Sequence, residues 1–278
     1  MNKNIPTIQL SNGVEMPQLG VGTFLVTGDE AVNRIKHAIN LGYRLIDTAQ
    51  GYGNEAEVGK GIKESGIKRS ELFITTKIST DAMREGKVRK SIDESLEKLG
   101  TDYIDLLLIH WPVAGHIEET WKIMEEYANK GKVRCIGVSN FNPHHIDSLL
   151  AYARIKPVIN QIEIHPYMTQ QTVVGNTFQK GIQVESWGPL GQGTTGELKD
   201  EFIGQIAEAH KKSIAQVILR WHIQRGLIIM PRCDNPDYTA ENMHVFDFEL
   251  SPIEMEIISG LNKNLRTYEK NDPDNFPW

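Results

Sequence analysis

Residues 72–110 decide the fold, because a strand, a helix and a second strand follow one another there. Leu72-Phe73-Ile74-Thr75-Thr76-Lys77 and Asp105-Leu106-Leu107-Leu108-Ile109-His110 are short apolar runs that each end on a polar residue. Between the two runs, four apolar residues recur at helical spacing, namely Val88, Ile92, Leu96 and Leu99. This pattern predicts two parallel strands joined by a helical crossover.

The same alternation continues on both sides of this unit. Strands are predicted at residues 19–22, 43–46, 72–76, 106–109, 133–138, 158–162, 182–185 and 227–230, with helices in the gaps. Eight strands alternating with helices in about 250 residues are typical of a (β/α)₈ TIM barrel. A doubly wound sheet stays open as an alternative, since alternation alone does not close a sheet.

The amino-terminal segment has a different pattern. Residues 8–10 and 14–17 flank Asn12-Gly13, a dipeptide that strongly predicts a β-hairpin. We expect this hairpin to close the bottom of the barrel. Because the sequence contains no evident linker, repeat or low-complexity tract, we expect residues 1–278 to form a single domain.

The composition limits the classes of partner. The chain of 278 residues carries 36 acidic and 30 basic residues, a net charge of −6, which argues against nucleic-acid binding. No apolar run approaches about 18 residues, so we expect no membrane contact and a cytoplasmic location. The distant cysteines Cys135 and Cys233 suggest neither a disulfide framework nor a zinc site. Nothing indicates a large apolar interface, and we expect a monomer.

Four polar residues follow or end predicted strands: Asp47, Tyr52, Lys77 and His110. The carboxyl ends of parallel strands meet at one rim, where barrel enzymes place their chemistry. A phenol has an ordinary pKa of about 10, and we expect the Lys77 ammonium to lower the pKa of Tyr52. Asp47 would hold Lys77 in place, and His110 would bind a substrate oxygen. The set therefore predicts a proton-transfer site.

These four residues lie in motifs that strongly resemble those of the aldo-keto reductases. The motifs are Ile46-Asp47-Thr48-Ala49, Tyr52-Gly53-Asn54-Glu55, Phe73-Ile74-Thr75-Thr76-Lys77, His110-Trp111-Pro112, Gly137-Val138-Ser139-Asn140-Phe141 and Asn160-Gln161-Ile162-Glu163. Residues 185–193 look especially like those of the bacterial diketogluconate reductases. The resemblance implies a barrel, a nicotinamide cofactor bound without a Rossmann domain, and a catalytic tetrad of Asp47, Tyr52, Lys77 and His110.

The resemblance also assigns contacts to cofactor and substrate. Ser139, Asn140 and Gln161 match residues that hold the nicotinamide carboxamide, and Trp187 matches an aromatic residue that stacks on the nicotinamide. Residues 188–193 would follow the pyrophosphate, with Gly188 in place of a common serine. The further cofactor contacts implied are Thr23, Asp47, Leu190, Gln192, Cys233 and Tyr238. The substrate contacts implied are Phe24, Tyr52, His110 and Trp111.

The sequence departs from the family after the eighth strand. Many members read Pro-Lys-Ser there, with an arginine six residues after the lysine that binds the 2′-phosphate of NADPH. Here Arg232 replaces the lysine, Tyr238 replaces the arginine, and Asp234 and Asp237 add negative charge. We expect NADPH as cofactor, with NADH use possible. Glu241 and Asn242 match residues that hold the adenine amino group.

The expected function is NAD(P)H-dependent reduction of aldehydes, ketones or small dicarbonyls such as keto-sugars and 2-oxoaldehydes, with Tyr52 as proton donor. Two alternatives stay open: a Schiff-base aldolase that uses Lys77, and a non-catalytic nicotinamide-binding regulatory barrel. A metal hydrolase is disfavoured, because His144, His145 and His165 form no recognisable ligand set, and we expect no metal.

Overall fold

The structure, a computed structural model, describes residues 5–277 and opens with an antiparallel hairpin. Strands β1 (Thr7–Gln9) and β2 (Glu15–Pro17) pair in it, with Ile8 opposite Met16. Asn12-Gly13 forms the turn, where Gly13 adopts a φ of +82° that glycine tolerates without a steric cost. The predicted hairpin is therefore confirmed.

The barrel consists of strands β3 to β10, each parallel to the next along the chain. Their bounds are β3 (Val21–Gly22), β4 (Leu45–Asp47), β5 (Phe73–Ile78), β6 (Ile104–Ile109), β7 (Val133–Ser139), β8 (Ile159–Glu163), β9 (Gln183–Trp187) and β10 (Ile228–Met230). Parallel bridges from Leu19 to Ile229 and from Gly22 to Arg232 join the first strand to the last. The sheet closes on itself, which confirms the predicted (β/α)₈ barrel and excludes the doubly wound sheet.

Helices cover the outside of this sheet. Their bounds are α1 (Gly28–Leu41), α2 (Glu55–Ser65), α3 (Thr80–Arg84), α4 (Val88–Leu99), α5 (Ile117–Asn129), α6 (Pro143–Leu150), α7 (Gln171–Gln179), α8 (Glu201–His210), α9 (Ile214–Gln224), α10 (Pro236–Glu241) and α11 (Pro252–Gly260). Helix α9 begins with a capping box, in which Ser213 Oγ accepts from the Gln216 backbone N–H at 3.2 Å. Within the described residues, no helix combines the length and apolar character needed to cross a membrane.

The hairpin packs against the end of the barrel where the strands begin. Leu10 and Met16 are buried in one cluster with Leu45 and Phe73, the first residues of β4 and β5. The opposite end, where the strands finish, stays open for a site.

Two strand boundaries differ from the prediction in a way that affects the site. β5 continues through Lys77 to Ile78, because residues 75–78 pair with residues 106–109 of β6. Lys77 therefore lies inside the strand, whereas the sequence placed it after the strand. β4 begins at Leu45, and the preceding Tyr43 instead donates its hydroxyl to the Thr239 carbonyl at 2.9 Å.

Candidate active site

Three neighbouring strands and one turn position the four predicted residues. Asp47 ends β4, Lys77 lies in β5, and His110 directly follows β6. Tyr52 ends a 3₁₀ turn (Gln50–Tyr52) after β4. The buried Asn54 fixes this turn, because its amide donates to the carbonyls of Thr23 and Val26, each at 2.8 Å.

The Lys77 ammonium is the centre of the hydrogen-bond network. It donates to Asp47 Oδ1 at 2.5 Å, to the Thr48 carbonyl at 3.0 Å and to the Tyr52 hydroxyl at 3.4 Å. Burial alone lowers the pKa of Lys77, but the neighbouring Asp47 carboxylate raises it, and overall the pKa is raised. Lys77 is therefore a permanent cation. A buried, protonated amine is poorly suited to Schiff-base formation, which needs an accessible neutral amine.

The pKa of Tyr52 departs from the sequence-based expectation. We expected Lys77 to lower it, but burial raises the pKa of the phenol, and the Lys77 ammonium offsets this rise only in part. The expectation was wrong because it counted the neighbouring charge and left out desolvation. The consequence is a phenol that is protonated at neutral pH.

His110 completes the group from the next strand. Its ring meets the Tyr52 ring edge-on, with centroids 5.7 Å apart. Burial and the Lys77 charge lower the pKa of His110 to about 3. The imidazole is therefore neutral at physiological pH and can donate a hydrogen bond without adding a charge.

A second buried acidic side chain, that of Glu185, belongs to the same network, although the sequence did not predict it as a site residue. Gln161 Nε2 donates to Asp47 Oδ2 and to Glu185 Oε2, each at 2.9 Å. Burial and the nearby Asp47 charge raise the pKa of Glu185 to about 8. Lys77 can neutralise only one carboxylate, so Glu185 carries a proton at neutral pH. Glu185 is the middle residue of β9, but it is the last residue of the strand predicted at residues 182–185, so the rule that identified the tetrad could also have identified it.

A cavity of about 1230 Å³ opens beside these residues at the carboxyl end of the barrel. Most of the predicted site residues line it. They are Phe24, Asp47, Tyr52, His110, Trp111, Ser139, Asn140, Gln161, Trp187, Gly188, Leu190, Gln192, Arg232, Tyr238, Glu241 and Asn242. Lys77 lies behind Asp47 and Tyr52 and does not line the cavity. Thr23 and Cys233 are buried and do not line it either.

The residues predicted to hold the carboxamide form a connected group. Ser139 Oγ donates to the Gln161 carbonyl at 2.9 Å, and Asn140 Nδ2 donates to Ser139 Oγ at 3.1 Å. Trp187 Nε1 donates to Asn140 Oδ1 at 2.8 Å. Because Gln161 Nε2 already donates to Asp47 and to Glu185, its amide oxygen is the end that can accept from a ligand. These residues fit a planar amide with both donors and acceptors.

The segment predicted to follow a pyrophosphate is folded into a 3₁₀ turn (Gly191–Gly193). Gly191 adopts a φ of +54°, and a Cβ there would collide with Thr195 and Glu197. Glu197 in turn lies 3.1 Å from His165 Nδ1, and both side chains are buried. This contact between His165 and Glu197, which the sequence did not predict, anchors the segment to the end of β8.

The far end of the cavity carries the residues after β10. Arg232 Nη2 lies 2.5 Å from Asp234 Oδ2, and Arg232 Nε donates to the same oxygen at 2.8 Å. Tyr238 is 63% exposed, whereas Asn242 is buried at the end of α10. A cation and a carboxylate therefore face the cavity together.

The carboxyl-terminal tail closes one side of the cavity. Tyr268, Lys270 and Asn271 line it, and the Phe276 ring lies 5.1 Å from the Trp111 ring. The Thr267 amide anchors the tail by donating to the buried Glu163 at 2.6 Å. The last residue, Trp278, lies outside the described residues.

His144 and His145, which the sequence did not predict as metal ligands, approach Asp274 of the tail. Their Nε2 atoms lie 3.1 and 3.4 Å from Asp274 Oδ1. The backbone N–H of Asn142 donates to His145 Nδ1 at 3.1 Å. Because Nδ1 accepts this bond, the proton of a neutral His145 ring lies on Nε2, which faces Asp274. This arrangement suits a hydrogen bond to Asp274 better than a metal ion.

The sequence of this chain is similar to those of known proteins. The model of the Aldo/keto reductase family matches residues 18–263. The chain is 48% identical over 261 residues to a glyoxal reductase of Bacillus subtilis (strain 168), with 94% of each chain covered. It is 42% identical over 275 residues to the methylglyoxal reductase DkgA of Escherichia coli (strain K12), with 98% of each chain covered.

A solved structure shows the same barrel. The crystal structure of an aldo-keto reductase from Bombyx mori in complex with NADP superposes with a TM-score of 0.91 at 37% identity. The match covers 99% of this chain and 98% of that one.

Proposed function

The chain belongs to the aldo/keto reductase family of NADP-dependent oxidoreductases, and we propose that it reduces aldehydes, ketones and small dicarbonyls with NADPH. The substrates we favour are 2-oxoaldehydes and keto-sugars, with Tyr52 as the proton donor. The observation that carries the proposal is the contact chain from Asp47 through Lys77 to Tyr52 at the wall of the cavity.

The substrate class rests on the relatives and on the cavity walls. Relatives of this chain are named for glyoxal and methylglyoxal, both small dicarbonyls. Phe24 and Trp111 line the cavity near the tetrad, and the Phe24 ring lies 5.1 Å from the Tyr52 ring. Aromatic walls exclude water from a carbonyl carbon, which favours hydride transfer over competing hydration.

The chemistry divides between the cofactor and the chain. Bound NADPH supplies a hydride to the carbonyl carbon. The substrate oxygen gains negative charge as the hydride arrives, and it takes the proton of the Tyr52 hydroxyl. The Lys77 ammonium stabilises the phenolate that remains. Asp47 holds Lys77 in position by accepting a hydrogen bond from its ammonium at 2.5 Å.

His110 orients the substrate. A neutral imidazole edge-on to Tyr52 can donate to the same substrate oxygen from a second direction. Because the pKa of His110 is lowered to about 3, the histidine does not compete with Tyr52 as proton donor at neutral pH.

We propose that NADPH occupies the length of the cavity. Ser139, Asn140 and Gln161 would hold the carboxamide beside the tetrad, and Trp187 would stack on the nicotinamide. The folded turn at residues 188–193 would follow the pyrophosphate, and Arg232 would bind the 2′-phosphate as a bidentate cation. Glu241 and Asn242 would contact the adenine. Thr23 and Cys233 could contribute only through atoms near the cavity, since their side chains are buried.

The proposal also includes a cytoplasmic monomer of one domain. Both cysteines are buried free thiols, which fits a reducing compartment. Light scattering on the purified chain tests the monomer: a mass near 31.4 kDa is expected, and a doubled mass would contradict it.

The decisive experiment is a substrate panel run with NADPH and with NADH. Methylglyoxal, glyoxal, a keto-sugar and a simple aldehyde are each offered, and cofactor oxidation is followed by absorbance. We expect steady oxidation with at least one dicarbonyl. A protein that binds NADPH tightly but oxidises neither cofactor across the panel would be a regulatory barrel, and the proposal would fail.

A further inference from the structure

Arg232 and Asp234 form an ion pair where the chain leaves β10. Two guanidinium nitrogens, Nη2 and Nε, lie 2.5 and 2.8 Å from the same carboxylate oxygen of Asp234. The two side chains are 36% and 45% exposed, and both line the cavity. The pair is therefore within reach of a ligand that extends along the cavity.

This pair opposes a phosphate group. Because two of the guanidinium nitrogens already face a carboxylate, a phosphate that takes both must displace Asp234 and then lie beside a like charge. Tyr238 supplies no second cation that could compensate for the repulsion. Asp234 thus lowers the affinity of this end of the cavity for a phosphorylated ribose.

The same carboxylate suits an unphosphorylated ribose. A ribose 2′-hydroxyl is neutral and can donate to a carboxylate, which is how acidic residues recognise NADH in other folds. A hydroxyl can bind Asp234 while the ion pair with Arg232 stays intact. The ion pair therefore contains one group for each cofactor: Arg232 can bind the 2′-phosphate of NADPH, and Asp234 can bind the 2′-hydroxyl of NADH.

We propose that Asp234 is a cofactor-specificity residue, which competes with the 2′-phosphate of NADPH for Arg232 and accepts a hydrogen bond from the 2′-hydroxyl of NADH. The proposal rests on the nicotinamide site proposed above. It predicts that the chain binds both cofactors and that one residue moves the two affinities in opposite directions.

The test compares Asp234→Asn with Asp237→Asn. Asp237 lies in the first turn of α10, carries the same charge and does not line the cavity, so it controls for net charge. Dissociation constants for NADPH and NADH are measured by quenching of tryptophan fluorescence. We expect Asp234→Asn to tighten NADPH about tenfold and to weaken NADH about threefold, as expected for one repulsion and one hydrogen bond. Asp237→Asn should change each less than about twofold.

A third variant tests the competition for Arg232. In an Arg232→Ala background, Asp234→Asn should improve NADPH binding much less, because no guanidinium is released. Equal effects of Asp234→Asn on both cofactors, or equal effects of the two Asp variants, would overturn the proposal while leaving the proposed reduction intact. A native chain that bound neither cofactor would overturn the proposed function as well.

Discussion

The Lys77 ammonium lies 2.5 Å from Asp47 Oδ1, and the Lys77 side chain is completely buried. Lysine is almost never fully buried unless it is paired. A buried ion pair contributes little net stability, because desolvation offsets the attraction between the charges. The pair is better explained by the chemistry of Tyr52, whose hydroxyl is the third contact of Lys77 at 3.4 Å.

Lys77→Met should damage both activity and stability. It leaves the Asp47 carboxylate buried without its cation, which costs about 3–5 kcal/mol of unfolding free energy. It also removes the charge that stabilises the Tyr52 phenolate, and turnover should fall by about 10²–10⁴-fold. Urea unfolding and steady-state kinetics measure the two effects.

The double variant Asp47→Asn/Lys77→Met separates these effects. It removes both charges, so most of the lost stability should return while turnover stays low. A double variant as unstable as Lys77→Met alone would show that the loss came from packing and not from an unpaired charge.

His110 should remain neutral throughout the physiological range. Burial lowers its pKa to about 3, against an ordinary value of about 6.5. Its NMR signal should therefore not titrate between pH 5 and 8, and the rate of reduction should show no inflection near pH 6.5 that belongs to His110. A titration near 6.5 would contradict its assigned role as a neutral donor.

The same shift affects acid stability with a definite sign. Below about pH 6.5 the unfolded chain binds a proton at His110 that the folded chain does not bind, so stability is lost as the pH falls toward 3. His110→Gln should lose less stability than the native chain over this range. Thermal melts at a series of pH values measure the difference.

Glu185 should have the opposite dependence. Burial and Asp47 raise its pKa to about 8, so the folded chain keeps a proton that the unfolded chain releases near its ordinary pKa of about 4.3. The contribution of Glu185 to stability is greatest below that value and falls as the pH rises toward 8. Glu185→Gln still accepts from Gln161, and it should gain stability relative to the native chain between pH 5 and 8. A difference that is independent of pH would show that Glu185 is ionised in the folded chain.

The sequence predicted the parts of the site that follow from periodicity. Asp47, Lys77 and His110 could be placed together because parallel strands end at one rim, a rule that needs no coordinates. This rule could not give the burial of each side chain, and for that reason the predicted direction of the Tyr52 pKa shift was wrong. Burial depends on packing from several distant segments, and no local pattern encodes it.

Contacts between loop residues could not be predicted from the sequence either. Arg232 and Asp234 are two residues apart, but only the backbone after β10 determines that their side chains meet. His165 and Glu197 lie far apart in the sequence, yet their side chains are 3.1 Å apart in the folded chain. Loops of this kind often hold the residues that determine binding specificity, but they have no periodic sequence pattern from which their geometry could be predicted.

The most direct test of the account is the turnover of Tyr52→Phe beside its affinity for NADPH. The ring's packing against Phe24 is retained and only the hydroxyl is lost. Tyr103→Phe, just before β6 at the opposite end of the barrel, is the matched control. We predict a loss of turnover of about 10²–10⁴-fold in Tyr52→Phe alone, with the dissociation constant of NADPH nearly unchanged. A loss well under about tenfold would contradict Tyr52 as the proton donor.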